Sequence, residues 1–276
     1  MNNQYGQLEL ASLTADSWFL TSVAYSSAQG LVARQAIYEN QVPHTDFVTW
    51  TVDRLKLCGT ENVVDVGCGN GRFIELIRNR GHRGTVFGVD LSPGILSDVP
   101  RRADAGPILV NGDIQRLPFA DDLFDVVLSM QMLHHVPDIP AGLAELDRIR
   151  APRGRVVVGV NGERHLKELD DLMIEAVAPH EFPFREHRFG LPNCLEALEA
   201  AFDVIERQDL HAELVLRDST PAIRYLMSMG RLRWTLVKSG VDLLRAFTRA
   251  REIIDGVIRR EGCFRVATHV AILECS

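Results

Sequence analysis

Three glycines stand at alternate positions in Asp65-Val66-Gly67-Cys68-Gly69-Asn70-Gly71, between a short apolar run and the helical-looking Arg72-Phe73. Glycine turns the backbone sharply and lets a ligand approach where a β-carbon would stand in the way. A helix opening behind such a turn adds free N–H groups to the same space. A turn of this kind holds a nucleotide-like ligand at the carboxyl edge of a parallel sheet. The spacing is G-x-G-x-G, with Arg72 where a dinucleotide fingerprint has its third glycine. Asp65 precedes the first glycine by two residues. Its carboxylate sits badly beside a pyrophosphate and suits a ligand carrying an ammonium group, which argues against a nicotinamide oxidoreductase. Asp90 ends a second apolar run, the position that grips ribose hydroxyls.

The elements that position these residues follow from hydrophobic patterning. Short apolar runs occur at 63–66, 85–90, 108–110, 124–129 and 156–160, with helical stretches between most of them, such as Phe73 to Arg78 and the face Leu143, Leu146, Ile149. Strands alternating with helices imply a parallel sheet covered on both faces. Later the rhythm slows. A helix is expected over Glu163 to Val177, another at Leu195, Leu198 and Phe202, and a sixth strand at Phe202 to Ile205. Residues 221–260 read as helix broken near Gly230 and Gly240, before a last strand over Val266 to Leu273. In the first 60 residues, Thr45 or Asp46 is expected to cap a helix through Leu55 that Gly59 ends. The expected fold is α/β: a doubly wound, seven-stranded, mostly parallel sheet. Residues 1–60 form an N-terminal helical cover on a domain over 61–276, and a helical insertion of about 213–262 precedes the last strand.

With these segments in order, the sequence resembles the class I S-adenosylmethionine-dependent methyltransferases, within them the type 11 small-molecule group. The resemblance rests on 65–71 and Asp90, then Asn111-Gly112-Asp113-Ile114, Leu117-Pro118-Phe119-Ala120-Asp121-Asp122, Phe124-Asp125-Val126-Val127 and Met132-Leu133-His134-His135-Val136-Pro137-Asp138. It covers about 62–162. Arg150-Ala151-Pro152-Arg153-Gly154 departs from the family's usual turn before the fifth strand. The resemblance implies a Rossmann-like domain that binds S-adenosyl-L-methionine and releases S-adenosyl-L-homocysteine. It also implies a small-molecule acceptor of secondary metabolism. By the same resemblance, Gly67, Cys68, Gly69 and Gly71 hold the methionyl and ribose portions, with Asp65 near the amino group. Asp90 accepts the ribose hydroxyls and Leu91 packs on the adenine. Asp113 and Ile114 read the ring, and Ser129 and Met130 face the sulfonium.

Methyl transfer from a sulfonium is an in-line displacement that needs alignment and exclusion of water, and no metal or covalent intermediate. A general base is needed only where the acceptor must lose a proton. His134 and His135, read as opening the helix after the fourth strand, are the candidates. In the resembling group an N-terminal segment closes over the cofactor, so Trp18, Phe19 and Tyr25 are substrate-side candidates, Arg34 suits a carboxylate, and Tyr225 joins them from the insertion. Phe182-Pro183-Phe184-Arg185-Glu186-His187-Arg188-Phe189 reads as a loop over the pocket. His269, inside the last strand, reads as packing or edge chemistry.

Composition sets the outer limits. The 276 residues are 46% hydrophobic and 24% charged, an ordinary globular balance. The net charge of -7 argues against general nucleic-acid binding. That average hides nine basic and three acidic residues in 221–260, a net of +6 against -13 elsewhere. An RNA methyltransferase using this segment, or a non-catalytic protein keeping the cofactor pocket, are the alternatives. Five scattered cysteines with no C-x-x-C pair indicate neither a disulfide framework nor a zinc site. With no membrane-length apolar run and no signal-like start, the chain reads as cytoplasmic, a monomer or homodimer.

Overall fold

The computed structural model describes residues 15–100, 106–178 and 189–276. One eight-stranded sheet organises them, in the order β1-β7-β8-β6-β5-β2-β3-β4. Its strands are β1 (Gln41–Val42), β2 (Val63–Val66), β3 (Val86–Asp90), β4 (Ile108–Asn111), β5 (Phe124–Met130), β6 (Arg150–Asn161), β7 (Ile205–Leu216) and β8 (Phe264–Cys275). From β4 through β6 all pairs are parallel, whereas β8 runs antiparallel between β6 and β7, and β1 antiparallel on β7. The helices are α1 (Ser17–Phe19), α2 (Gln29–Gln35), α3 (Phe47–Leu55), α4 (Arg72–Asn79), α5 (Pro93–Ser97), α6 (Ile139–Ile149), α7 (Lys167–Val177), α8 (Leu191–Glu199), α9 (Thr220–Ser228), α10 (Gly230–Lys238) and α11 (Leu243–Glu261). No helix among the described residues is long and apolar enough to cross a membrane.

The central strands are buried on both faces: all four residues of β2 are covered, as continuous apolar runs in parallel sheets require. One core layer places α6 and α8 against the sheet, through Leu143, Leu146 and Leu198. Another places α3 and α4, through Leu55, Ile74 and Ile77. A third belongs to α7 and the insertion, where Met173, Leu226, Leu236 and Ile254 meet Leu214 and Val266 from the far ends of β7 and β8. The insertion thus carries its own apolar centre.

Four expectations are corrected. The sheet has eight strands because Gln41–Val42 adds a two-residue strand to β7. The strand expected at 202–205 begins where that stretch ends and runs twelve residues, so the insertion starts after Leu216. Lys56, in the left-handed region at φ 47°, ends α3 before Gly59 is reached. His134 and His135 lie in a 3₁₀ turn, Leu133–His135, and α6 opens only after Asp138 caps it. The turn at Arg150–Gly154 is absorbed as a register shift between β5 and β6. Gly154 is required there, since a β-carbon would lie 2.7 Å from the Phe124 carbonyl oxygen.

Asp46 caps α3. Its carboxylate accepts from the Thr49 N–H at 2.8 Å and pairs with Arg72 in the first turn of α4. Asp46→Ala is expected to lower the unfolding free energy by about 1–2 kcal/mol, read as a lower urea midpoint at unchanged slope.

Candidate functional site

The glycine turn closes a cavity of about 790 Å³ at the carboxyl edge of β2 and β3. Parallel register sets Val66 beside Val89, and the N–H groups of Gly67 and Cys68 both donate to the Val89 carbonyl, at 2.7 and 3.0 Å. The turn needs its glycines: Gly67 and Gly69 have φ of 78° and 53°, and a β-carbon on Gly67 would lie 2.5 Å from Met132. Gly71, φ 77°, caps α4 and lies outside the cavity wall, packed so that a β-carbon would meet Val99 at 2.7 Å.

Asp90 holds the turn in shape. One carboxylate oxygen accepts from the Gly69 N–H and the other from the Ser92 N–H, each at 2.9 Å. Burial pushes its pKa up, and the two N–H donors oppose that. Asp65, 1% exposed, has neither carboxylate oxygen bonded. Burial, and then the neighbouring Asp90 charge, push its pKa up to about 7. Burial and the same two carboxylates hold the Cys68 thiol well above its usual range, which disfavours the thiolate.

Asp65, Gly67, Cys68, Gly69, Asp90, Leu91, Asp113, Ile114 and Met130 all line the cavity. Asp113 also caps its own turn, accepting from the Gln115 N–H at 2.9 Å. Ser129 is fully buried, its hydroxyl has no partner, and it lies outside the wall that Met130 joins. Successive residues of a strand face opposite ways, so only one of that pair can face the cavity.

On the opposite wall the N-terminal segment meets the insertion. Phe19 is buried, lines the cavity and packs edge-on to Trp234, ring centroids 5.9 Å apart. Trp18, 43% exposed, lies outside the wall. Arg34 lies over the Tyr25 ring at 4.9 Å and donates to the Ser228 carbonyl at 3.2 Å, joining α2 to α9 rather than to a carboxylate of the chain. Tyr225 lines the same wall. The loop expected over the pocket lies outside the described residues, except for Phe189, which is buried in the wall.

Both histidines line the cavity, with rings 4.0 Å apart. The Tyr25 hydroxyl lies 2.9 Å from His135 Nε2, and the Ser92 hydroxyl donates to the Tyr25 carbonyl at 2.7 Å. The N-terminal segment is therefore bonded both to the strand edge that carries Asp90 and to the candidate base. Sequence reading missed a second pair, Tyr38 and His165, also 2.9 Å apart in the wall. His165 Nδ1 accepts from the His269 backbone N–H at 3.2 Å. That nitrogen is thus unprotonated, and the neutral ring donates from Nε2 to the Tyr38 oxygen. It also missed Gln131, whose φ of 54° holds a non-glycine residue in the left-handed region beside the cavity, with its amide donating to Asn161 at 3.0 Å. No motif marks pairs so far apart in sequence.

Comparison with known proteins places the chain. The family model described as "Methyltransferase domain" matches residues 64–158. Residues 64–158 are thus similar to a methyltransferase domain. The chain is 38% identical over 111 residues to the malonyl-[acyl-carrier protein] O-methyltransferase of Serratia marcescens, covering 40% of this chain and 42% of that protein. It is 42% identical over 97 residues to the demethylmenaquinone methyltransferase of Staphylococcus saprophyticus, covering 34% of this chain and 42% of that one. The chain spans less than half the length of these relatives. Among solved structures, a candidate methyltransferase from Bacillus halodurans aligns at TM-score 0.56 and 15% identity over 83% of this chain and 97% of its own. The [4+2]-cyclase SpnF aligns at TM-score 0.51 and 18% identity, over 83% of this chain and 80% of its own. Such identities show the fold alone, and the same fold serves more than one chemistry.

The raised pKa of Asp65 has a stability consequence. The folded state holds this proton above the pH at which the unfolded chain releases it, so its contribution to stability falls as pH rises from about 4 to about 7. Asp65→Asn is expected to flatten that decline and to raise stability at about pH 8 by on the order of 2 kcal/mol, measured by urea unfolding across pH, while ligand binding weakens.

Proposed function

We propose that this chain transfers a methyl group from S-adenosylmethionine to a small-molecule acceptor held between its N-terminal segment and its insertion. The observation that carries the reading is the buried, unbonded Asp65 carboxylate beside Asp90 in a glycine-lined cavity wall. A buried carboxylate without partners is costly, and a cationic ligand offsets that cost. An ammonium group near Asp65, ribose hydroxyls at Asp90 and a flat ring between Leu91 and Ile114 fit the residues present. A nucleotide phosphate next to two carboxylates does not.

When bound, the cofactor supplies an electrophilic methyl on a sulfonium. The chain's part is alignment and exclusion of water. The Gly67–Gly69 backbone and Asp90 fix the donor end, and Met130 borders it. Phe19, Tyr25 and Tyr225 line the acceptor side. For an acceptor that must lose a proton, His135 takes it, with the Tyr25 hydroxyl holding its ring in place. The Serratia relative is named an O-methyltransferase, which supports oxygen as the acceptor atom.

Calorimetry tests the reading. The wild type is expected to bind S-adenosylmethionine and S-adenosylhomocysteine, and Asp90→Ala to weaken both by about 10- to 100-fold, the loss of charge-assisted hydrogen bonds. Mass spectrometry of metabolite extracts incubated with enzyme and cofactor is expected to reveal a methylated product. A wild type that binds neither compound contradicts the proposal.

A further inference from the structure

Behind the cavity, on the other face of the β7–β8 pair, Asp209, His211 and His269 converge. Residues two apart on a strand share a face, and the residue directly opposite on the neighbouring strand shares it too. His211 pairs in register with His269, and Asp209 lies two residues before His211. Leu210, Thr268 and Val270, the alternating neighbours, line the cavity on the reverse face.

The three side chains are close enough to share one small ion. The imidazole rings stack at 3.9 Å, 21° from parallel. His269 Nε2 lies 2.6 Å from an Asp209 carboxylate oxygen, and one donor atom from each residue falls within 4.8 Å of the others. Gly162 fixes the His269 ring, since a β-carbon there would lie 2.0 Å from Nδ1, so backbone abuts that edge while Nε2 points to Asp209. Among the described residues, His211 makes no hydrogen bond, only the ring contact.

We infer that this cluster is a binding site for a borderline divalent cation of the zinc class. Two neutral imidazoles and a carboxylate suit such an ion, and three protein ligands leave room for water. The cysteine pattern could not point to these residues, whose convergence depends on strand register. The site also has a mechanical sense. β1 covers β7 only at Glu213 and Leu214, so a cation bridging Asp209 and His211 to His269 would tie the outer strand to β8 where β1 does not reach.

Arg207 competes for the same carboxylate. Its guanidinium forks onto Asp209 at 2.7 and 2.9 Å. The cation must displace or share that contact, which yields a discriminating test. The full-length, untagged protein is stripped with a chelator and titrated with Zn²⁺ alone at about pH 7.5, where free imidazoles are neutral, against a chromogenic competitor. One saturable equivalent is expected. His211→Ala and His269→Gln should each weaken it by about tenfold or more, and Arg207→Ala should tighten it severalfold. Cys58→Ser, which removes an exposed thiol, should leave it unchanged. Circular dichroism checks folding, and His211→Ala, at an exposed position, keeps the test valid should His269→Gln unfold. Absence of binding by the wild type overturns the proposal. So does binding that survives both histidine substitutions, that is lost with Cys58, or that Arg207→Ala fails to tighten.

Discussion

Two carboxylates that repel each other, Asp65 and Asp90, are held together under a glycine turn, and the rest of the site is arranged around that conflict. In a low-dielectric interior, like charges this close cannot both ionise without cost. The backbone resolves half of it: N–H groups from Gly69 and Ser92 serve Asp90 and leave Asp65 with nothing. Such strain persists only where surrounding structure over-determines it. Here the determinants are the parallel register of β2 and β3 and the two turn N–H bonds to Val89.

The sheet carries the glycine turn, and the N-terminal segment and the insertion add further residues around the cavity. Tyr25, Arg34 and Tyr38 come from the N-terminal segment, while Tyr225 and Met229 come from the insertion. Contacts such as Phe19 on Trp234 and Arg34 on the Ser228 carbonyl join the two covers to each other.

What was legible in the sequence was what the buried parallel sheet demands. The runs at 63–66 and 124–129 are apolar because both faces are covered, and Asp65 and Asp90 stand out against them. β7 was legible only at its start, near Ile205, since Glu206-Arg207-Gln208-Asp209 in its exposed first half carries no apolar run. β1 is two residues long and is defined only by its partner. Ser129 and Met130 could not be told apart without the phase of the strand's alternation. The Tyr38–His165 pair and the Asp209, His211, His269 cluster arise from chain crossings that local pattern does not encode.

The central claim is that the Asp65 carboxylate waits for a cationic ligand. Its protonation can be followed directly by NMR of the isotope-labelled aspartate carboxyl group, with Asp65→Asn assigning the signal. The free protein should titrate at about 7, and saturation with S-adenosylhomocysteine should return the midpoint to the ordinary carboxylate range, as a nearby ammonium favours the ionised form. A midpoint already ordinary in the free protein, or one that saturation leaves unmoved, would contradict the account.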